Sequence, residues 1–170
     1  STTGIGLTLL PSFYAHGGFG GASPLPGQRR FINDIDSFAR LFEISRAQIS
    51  GLENANIGVA PHSLRAVTPD ELTEMISIAG ATPIHIHAAE QVKEVEDCLV
   101  WSGARPVQWL LDNTPLDDRW CLIHATHMTE EETRRLARSG ATAGLCPITE
   151  GGLGDGTFNA TTFLPANGSI

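Results

Sequence analysis

Apolar runs of strand length alternate with amphipathic runs of helical period along the chain, and this alternation restricts the fold to parallel strands joined by crossover helices. Five strand-like runs stand out: Gly6 to Tyr14, Ile57 to Ala60, Pro83 to His87, Trp120 to Ala125 and Ala141 to Pro147. The first, third and fourth are almost continuously apolar, which predicts strands buried on both faces. The helices between them are punctuated. Thr68-Pro69-Asp70-Glu71 combines an N-cap threonine, a proline at the first helical position and the glutamate of a capping box; Leu72, Met75, Ile76 and Ala79 then recur at helical spacing, and Gly80 is the stop. Thr129 precedes Glu130, Glu131 and Glu132, while Arg134, Arg135 and Arg138 sit towards the far end before Gly140, as a helix dipole favours. Further helices are expected from Asp36 to about Ser50 and from Gln91 to Trp101. The order β-α-β-α-β-α-β-α-β amounts to roughly five of the eight units of a closed barrel. An open doubly wound sheet fits the length better, but it needs a phosphate loop. The Gly17-Gly18-Phe19-Gly20-Gly21 cluster does not give the G-x-G-x-x-G spacing, and a mobile active-site loop is the more natural expectation for it. The chain begins inside a strand, and a further strand is expected at Gly168-Ser169-Ile170.

Composition narrows the function. The 170 residues include 41% hydrophobic ones, enough for one globular core. Lysine and arginine number 11 against 19 aspartates and glutamates, a net charge of −8 without a basic run, so no nucleic-acid partner is expected. No apolar stretch approaches the roughly 20 residues of a membrane span, and no signal peptide is visible. The cysteines Cys98, Cys121 and Cys146 are widely spaced, odd in number and flanked by apolar residues. They read as buried structural thiols of a reducing cytoplasm rather than as a disulfide framework or a zinc ribbon.

In parallel α/β folds, chemistry collects where strands end. His16 and His62 follow the first two runs, His87 ends the third, and His124 and His127 close the fourth. In Pro83-Ile84-His85-Ile86-His87-Ala88-Ala89-Glu90, alternation puts His85 and His87 on one side of the strand, about 6.5 Å apart along it. An imidazole there can bind a transition metal, and the carboxylate of Glu90, three residues on, can stand beside that metal as a general acid or base. The competing reading is a buried polar ladder with Glu90 as an ordinary first-turn acid. His124, on the next strand end, can orient or deprotonate a water or serve as a further ligand, whereas His127 is expected to be structural or solvent-facing. Arg65, in Pro61-His62-Ser63-Leu64-Arg65, can grip a carboxylate through paired hydrogen bonds, with His62 sharing the work, or can form a surface salt bridge.

Six segments together resemble the amidohydrolase superfamily and, within it, the formimidoylglutamate deiminases. They are Pro11-Ser-Phe-Tyr-Ala-His-Gly-Gly-Phe-Gly-Gly, Ala60-Pro-His-Ser-Leu-Arg-Ala-Val, His85-Ile-His-Ala-Ala-Glu-Gln, Arg105-Pro-Val-Gln-Trp-Leu-Leu, Trp120-Cys-Leu-Ile-His-Ala-Thr-His and Gly144-Leu-Cys-Pro-Ile-Thr-Glu, followed by Leu153-Gly-Asp-Gly. The histidine and glutamate positions are shared by many deaminases of the superfamily; the Pro-His-Ser-Leu-Arg-Ala-Val and Leu-Gly-Asp-Gly segments narrow the match. The resemblance implies a partial (β/α)8 TIM barrel of the metal-dependent hydrolase type, with residues 1–170 as the central part of a single barrel domain, strands three to seven. It implies one Zn2+, for which His87 is the strand-five ligand, a His-x-His pair and an aspartate lying outside these residues. Asp155 is no substitute, since it belongs to the loop after strand seven. Glu90 is then the proton shuttle, His124 the histidine that positions the hydrolytic water, and Arg65 with His62 the grip on the substrate's carboxylates. His85 matches no ligand and becomes a core-layer histidine. The implied reaction, in the complete enzyme, is hydrolysis of N-formimidoyl-L-glutamate to N-formyl-L-glutamate and ammonia in histidine degradation. Gly152 and the stretch from Asn159 to Ile170 depart from the family's pattern.

The alternatives are another deaminase of the superfamily acting on a purine, pyrimidine or triazine, an inert fragment or barrel-completing subunit, and a metal-free α/β binding protein. Relatives of this kind are often dimers, so a second copy of the chain is the macromolecular partner that the resemblance implies.

Overall fold

The computed structural model of the protein describes residues 4–170. They divide into two compact units, one ending at His85 and the other running from Ile86 to Ile170.

In the first unit the two leading apolar runs each form two short strands. β1 (Leu7–Leu9) pairs in parallel with β3 (Ala55–Ile57), and β2 (Ser12–Phe13) pairs in parallel with β4 (Ala60–Pro61). The register does not slip across the break: Leu9 lies opposite Ile57 and Ser12 opposite Ala60. Gly58, Ala60 and His62 donate their N–H groups in turn to the carbonyls of Leu9, Pro11 and Phe13, at 2.9, 2.9 and 3.0 Å. The ladder breaks because Pro11 has no N–H to return. Strand exposure also departs from expectation, since Leu7 is half exposed rather than buried on both faces. α1 (Ile35–Ile49), capped by Asp34 on Ser37 N–H, buries Phe38 and Phe42, and Phe38 meets Phe13 edge to face at 5.5 Å. α2 (Pro69–Ala79) has the expected capping box of Thr68 and Glu71 and ends at Gly80 with a positive φ. The glycine cluster is a tight turn, closed by Gly17 N–H on the Ala22 carbonyl at 2.8 Å.

The second unit is built on a parallel sheet in the order β5 (Ile84–Ala88), β6 (Trp120–His124), β7 (Thr142–Gly144). On β5, Ile84, Ile86 and Ala88 are buried and His85 and His87 half-buried; β6 repeats the alternation, with Cys121 and Ile123 half-buried. The expectation of burial on both faces thus holds for one face of each strand: on β5 the other face carries His85 and His87, whereas on β6 His124 ends the buried register and the other face carries Cys121 and Ile123. α3 (Val92–Ser102) and α5 (Glu130–Ser139) fall where the punctuation places them, the latter with a capping box between Thr129 and Glu132. Three helices were not read from the sequence: α4 (Pro106–Asn113), α6 (Pro147–Leu153) and α7 (Ala160–Phe163). Pro106 and Pro147 open the first two at the position where proline is tolerated, and the latter truncates the run expected to reach Pro147 as strand. Past α7, Ser169 bridges Thr142 in parallel, where a further strand was expected to begin. Among the described residues no helix is long and apolar enough to cross a membrane.

Candidate active site

The end of β5 is bent and then fixed. Ala89 has φ +51°, a left-handed conformation that non-glycine residues rarely adopt. The buried carboxylate of Glu94, in the first turn of α3, accepts the N–H of Ala89 at 3.1 Å and that of Glu90 at 3.0 Å. A single acid thereby holds the two peptides that aim Glu90.

The end of β6 is bent in the same way. His124 has φ +71° and Ala125 φ +48°, each costing on the order of 1–3 kcal/mol that the surroundings must offset. Those surroundings are visible: Ala125 N–H donates to the Ala88 carbonyl at 3.0 Å and His127 N–H to the Ala89 carbonyl at 2.9 Å, so the two strand ends are tied together. Strained backbone held by cross-ties is typical of functional sites. His124 is 3% exposed. Its ring lies 5.5 Å from that of His87. Its Nε2 faces Glu90 Oε1 at 3.3 Å and its Nδ1 faces Glu150 Oε1 at 3.0 Å. His87, Glu90 and His124 therefore converge on one rim.

Arg105 and Glu132 anchor the loop that follows β6. Arg105 Nε donates to Glu132 Oε2 at 2.8 Å, and its Nη2 donates to the carbonyl of His127. Glu132, 4% exposed, also accepts the N–H groups of Gln108 and Thr129. His127 takes part in this tie through its backbone, which fits the structural role expected of it; its Nε2 is buried without a hydrogen-bond partner among the described residues. The sequence reading gave no role to Glu94 or Glu150 and took Glu132 only as a first-turn acid. Each lies in the first turn of a helix that follows a strand end or loop, the position where an acid complements the helix dipole and reaches free backbone N–H groups.

His62 and Arg65 belong to the first unit, in the turn after β4 that Ala66 N–H closes on the Ser63 carbonyl at 2.9 Å. His62 meets the Tyr14 ring edge to face at 4.8 Å and holds Ser63 Oγ at 3.1 Å through Nδ1. With Ser12, Tyr14, Gln28 and Phe31 it lines a cavity of about 470 Å³. Arg65 is half-buried. His16 is engaged by Glu71, whose two carboxylate oxygens lie 3.0 and 2.9 Å from Nε2.

Two donor sets could concern a cation. His87 offers an imidazole nitrogen at the strand end, a ligand type suited to zinc, with its ring 5.5 Å from that of His124, which in turn faces the carboxylate of Glu90. His124, Cys146 and Glu150 have ligand atoms within 4.8 Å of one another. In that second set, however, Glu150 Oε1 is already committed to His124 Nδ1 and to the N–H of Cys146 at 2.8 Å.

Known proteins bear on this arrangement. Residues 21–170 match the Amidohydrolase family. The chain is 50% identical over 171 residues to a formimidoylglutamate deiminase of Pseudomonas aeruginosa, a match that covers all of the chain and 38% of that protein. It superposes with TM-score 0.95 and 65% identity on the crystal structure of an amidohydrolase from Brucella melitensis, covering 98% of the chain and 37% of the other. An adenosine deaminase of Xanthomonas campestris, solved with bound zinc, shares the fold at TM-score 0.80 and 24% identity, again over 98% of the chain and 36% of its partner. The chain thus spans less than two fifths of the length of these relatives. The α/β architecture with parallel strands agrees with the expected part of a metal-dependent hydrolase barrel, and the chain belongs to the amidohydrolase family.

Proposed function

We propose that residues 1–170 form the central part of the barrel domain of a zinc-dependent hydrolase that converts N-formimidoyl-L-glutamate and water to N-formyl-L-glutamate and ammonia. The observation that carries this reading is the convergence of a half-buried imidazole, His87, with the Glu90–His124 pair at 3.3 Å on one rim. The 50% identity to the Pseudomonas deiminase along the whole chain supports the choice of substrate.

His87 would hold the zinc together with ligands from segments outside these residues. Bound there, zinc supplies the Lewis acidity that makes a water molecule reactive near neutral pH. His124, through Nε2, takes the proton of the attacking water as its oxygen bonds to the formimino carbon. The bond from that carbon to the terminal nitrogen then breaks. Glu90 carries both water protons to that nitrogen, the one that His124 took and the one left on the new hydroxyl, so that the imino nitrogen leaves as ammonia and the carbon–oxygen bond becomes the formyl carbonyl. Arg65 is assigned the substrate's carboxylates because its planar fork pairs with them in two hydrogen bonds, and His62 adds a further donor. Binding energy far from the reacting carbon is in this way used to position it. Three thiols free of disulfides fit a cytoplasmic setting.

The reading is tested in a full-length chimera in which residues 1–170 replace the matched segment of the Pseudomonas aeruginosa enzyme. Ammonia release is expected from formimidoylglutamate and not from adenosine, cytosine or a triazine; the reverse preference overturns the substrate. Glu90→Gln is expected to lower kcat by at least about a hundredfold, within the range of general acid–base catalysis, while zinc content is unchanged. Undiminished turnover removes Glu90 from proton transfer.

A further inference from the structure

We propose that Glu150 is a positioning residue that fixes the tautomer and the ring orientation of His124, and so decides which nitrogen takes the proton from water. A neutral imidazole accepts a proton through one nitrogen only, and the partner of the other nitrogen selects which. The partner of Nδ1 is Glu150 Oε1, at 3.0 Å. The same oxygen accepts the N–H of Cys146 at 2.8 Å, and an ionised carboxylate has no proton to donate, so it is the acceptor in both contacts. The proton of the His124–Glu150 bond therefore belongs to Nδ1. This leaves the lone pair on Nε2, the nitrogen that faces Glu90 Oε1 at 3.3 Å.

Glu150 is itself firmly held. It is 5% exposed and lies in the first turn of α6, where its own N–H donates to the Cys146 carbonyl at 3.0 Å and its carbonyl accepts Asp155 N–H at 2.9 Å. His124 cannot turn to another partner without leaving a buried carboxylate short of a donor. The pairing also explains why His124, Cys146 and Glu150 gather within 4.8 Å without invoking a second metal.

The inference rests on the role assigned to His124 above, and its test separates the two. The zinc-loaded chimera is labelled with 15N-histidine, and the His124 signals are identified by their loss in His124→Asn. The unsubstituted protein and Glu150→Gln, whose amide oxygen can still accept, are expected to carry the proton on Nδ1. Glu150→Ala is expected to lose that single tautomer and to lower kcat about 10- to 100-fold, as removal of such supporting groups does, with KM and zinc content unchanged. Glu150→Gln is expected to recover most of the lost turnover. A proton on Nε2 in the unsubstituted protein overturns the proposal, as does an unaltered tautomer in Glu150→Ala or a loss in Glu150→Gln as large as in Glu150→Ala. Should Glu150→Ala fail to fold, the tautomers of the unsubstituted protein and of Glu150→Gln decide. A chimera that shows the Nδ1 proton but does not deaminate formimidoylglutamate sinks the substrate reading and leaves this one standing.

Discussion

Acids in the first turn of the helix that follows a strand do much of the positioning in the second unit. Glu94 captures the peptides of Ala89 and Glu90, Glu132 gathers Arg105, Gln108 and Thr129, and Glu150 engages His124. Glu94 and Glu150 do not stand out in the sequence and Glu132 does so only as a helix-start acid, because a buried acid and a solvated first-turn acid look alike there. The histidines were legible, since strand alternation and the resemblance both point to His87 and His124. Arg65→Met is expected to raise KM for formimidoylglutamate at least about tenfold, the loss of roughly 1.4 kcal/mol or more of binding, with a smaller change in kcat; an unchanged KM removes Arg65 from the carboxylate site. The cysteines divide by environment. Burial pushes the thiol pKa of Cys98 up to about 11, so at pH 8 it is almost wholly protonated and a poor nucleophile. Mass spectrometry after iodoacetamide treatment of the folded protein is expected to find Cys98 unmodified, and rapid labelling contradicts its place in the core.

Among the elements, the helix starts were the most legible feature and the short helices the least. Thr68 with Glu71 and Thr129 with Glu132 satisfy free N–H groups at helix starts by side-chain chemistry that is written locally in the sequence. α4, α6 and α7 run to 8, 7 and 4 residues, too few for a helical period to emerge from the pattern. The first strand run was legible as one strand although it forms two, since Pro11 interrupts donation without changing register. Thr129→Ala is expected to cost about 1 kcal/mol as the loss of an N-cap. Glu132→Ala is expected to cost more, about 3 kcal/mol, because it strands Arg105 and two backbone donors at a part-buried site. Urea denaturation of the chimera measures both; equal losses mean that Glu132 acts only as a capping residue.

For the molecule as a whole, alternation along the chain established parallel α/β architecture, and the motifs at the strand ends carried the family. What periodicity could not supply was the closeness of side chains far apart in sequence, such as Glu150 to His124, since that depends on how strand ends are tied together. The account stands on His87, Glu90 and His124 surrounding a single zinc ion. An anomalous difference map of the chimera at the zinc edge tests this most directly. One peak is expected about 2.0–2.1 Å from an imidazole nitrogen of His87, with Glu90 and His124 beside it. A peak held by Cys146 and Glu150, or none at His87, contradicts it.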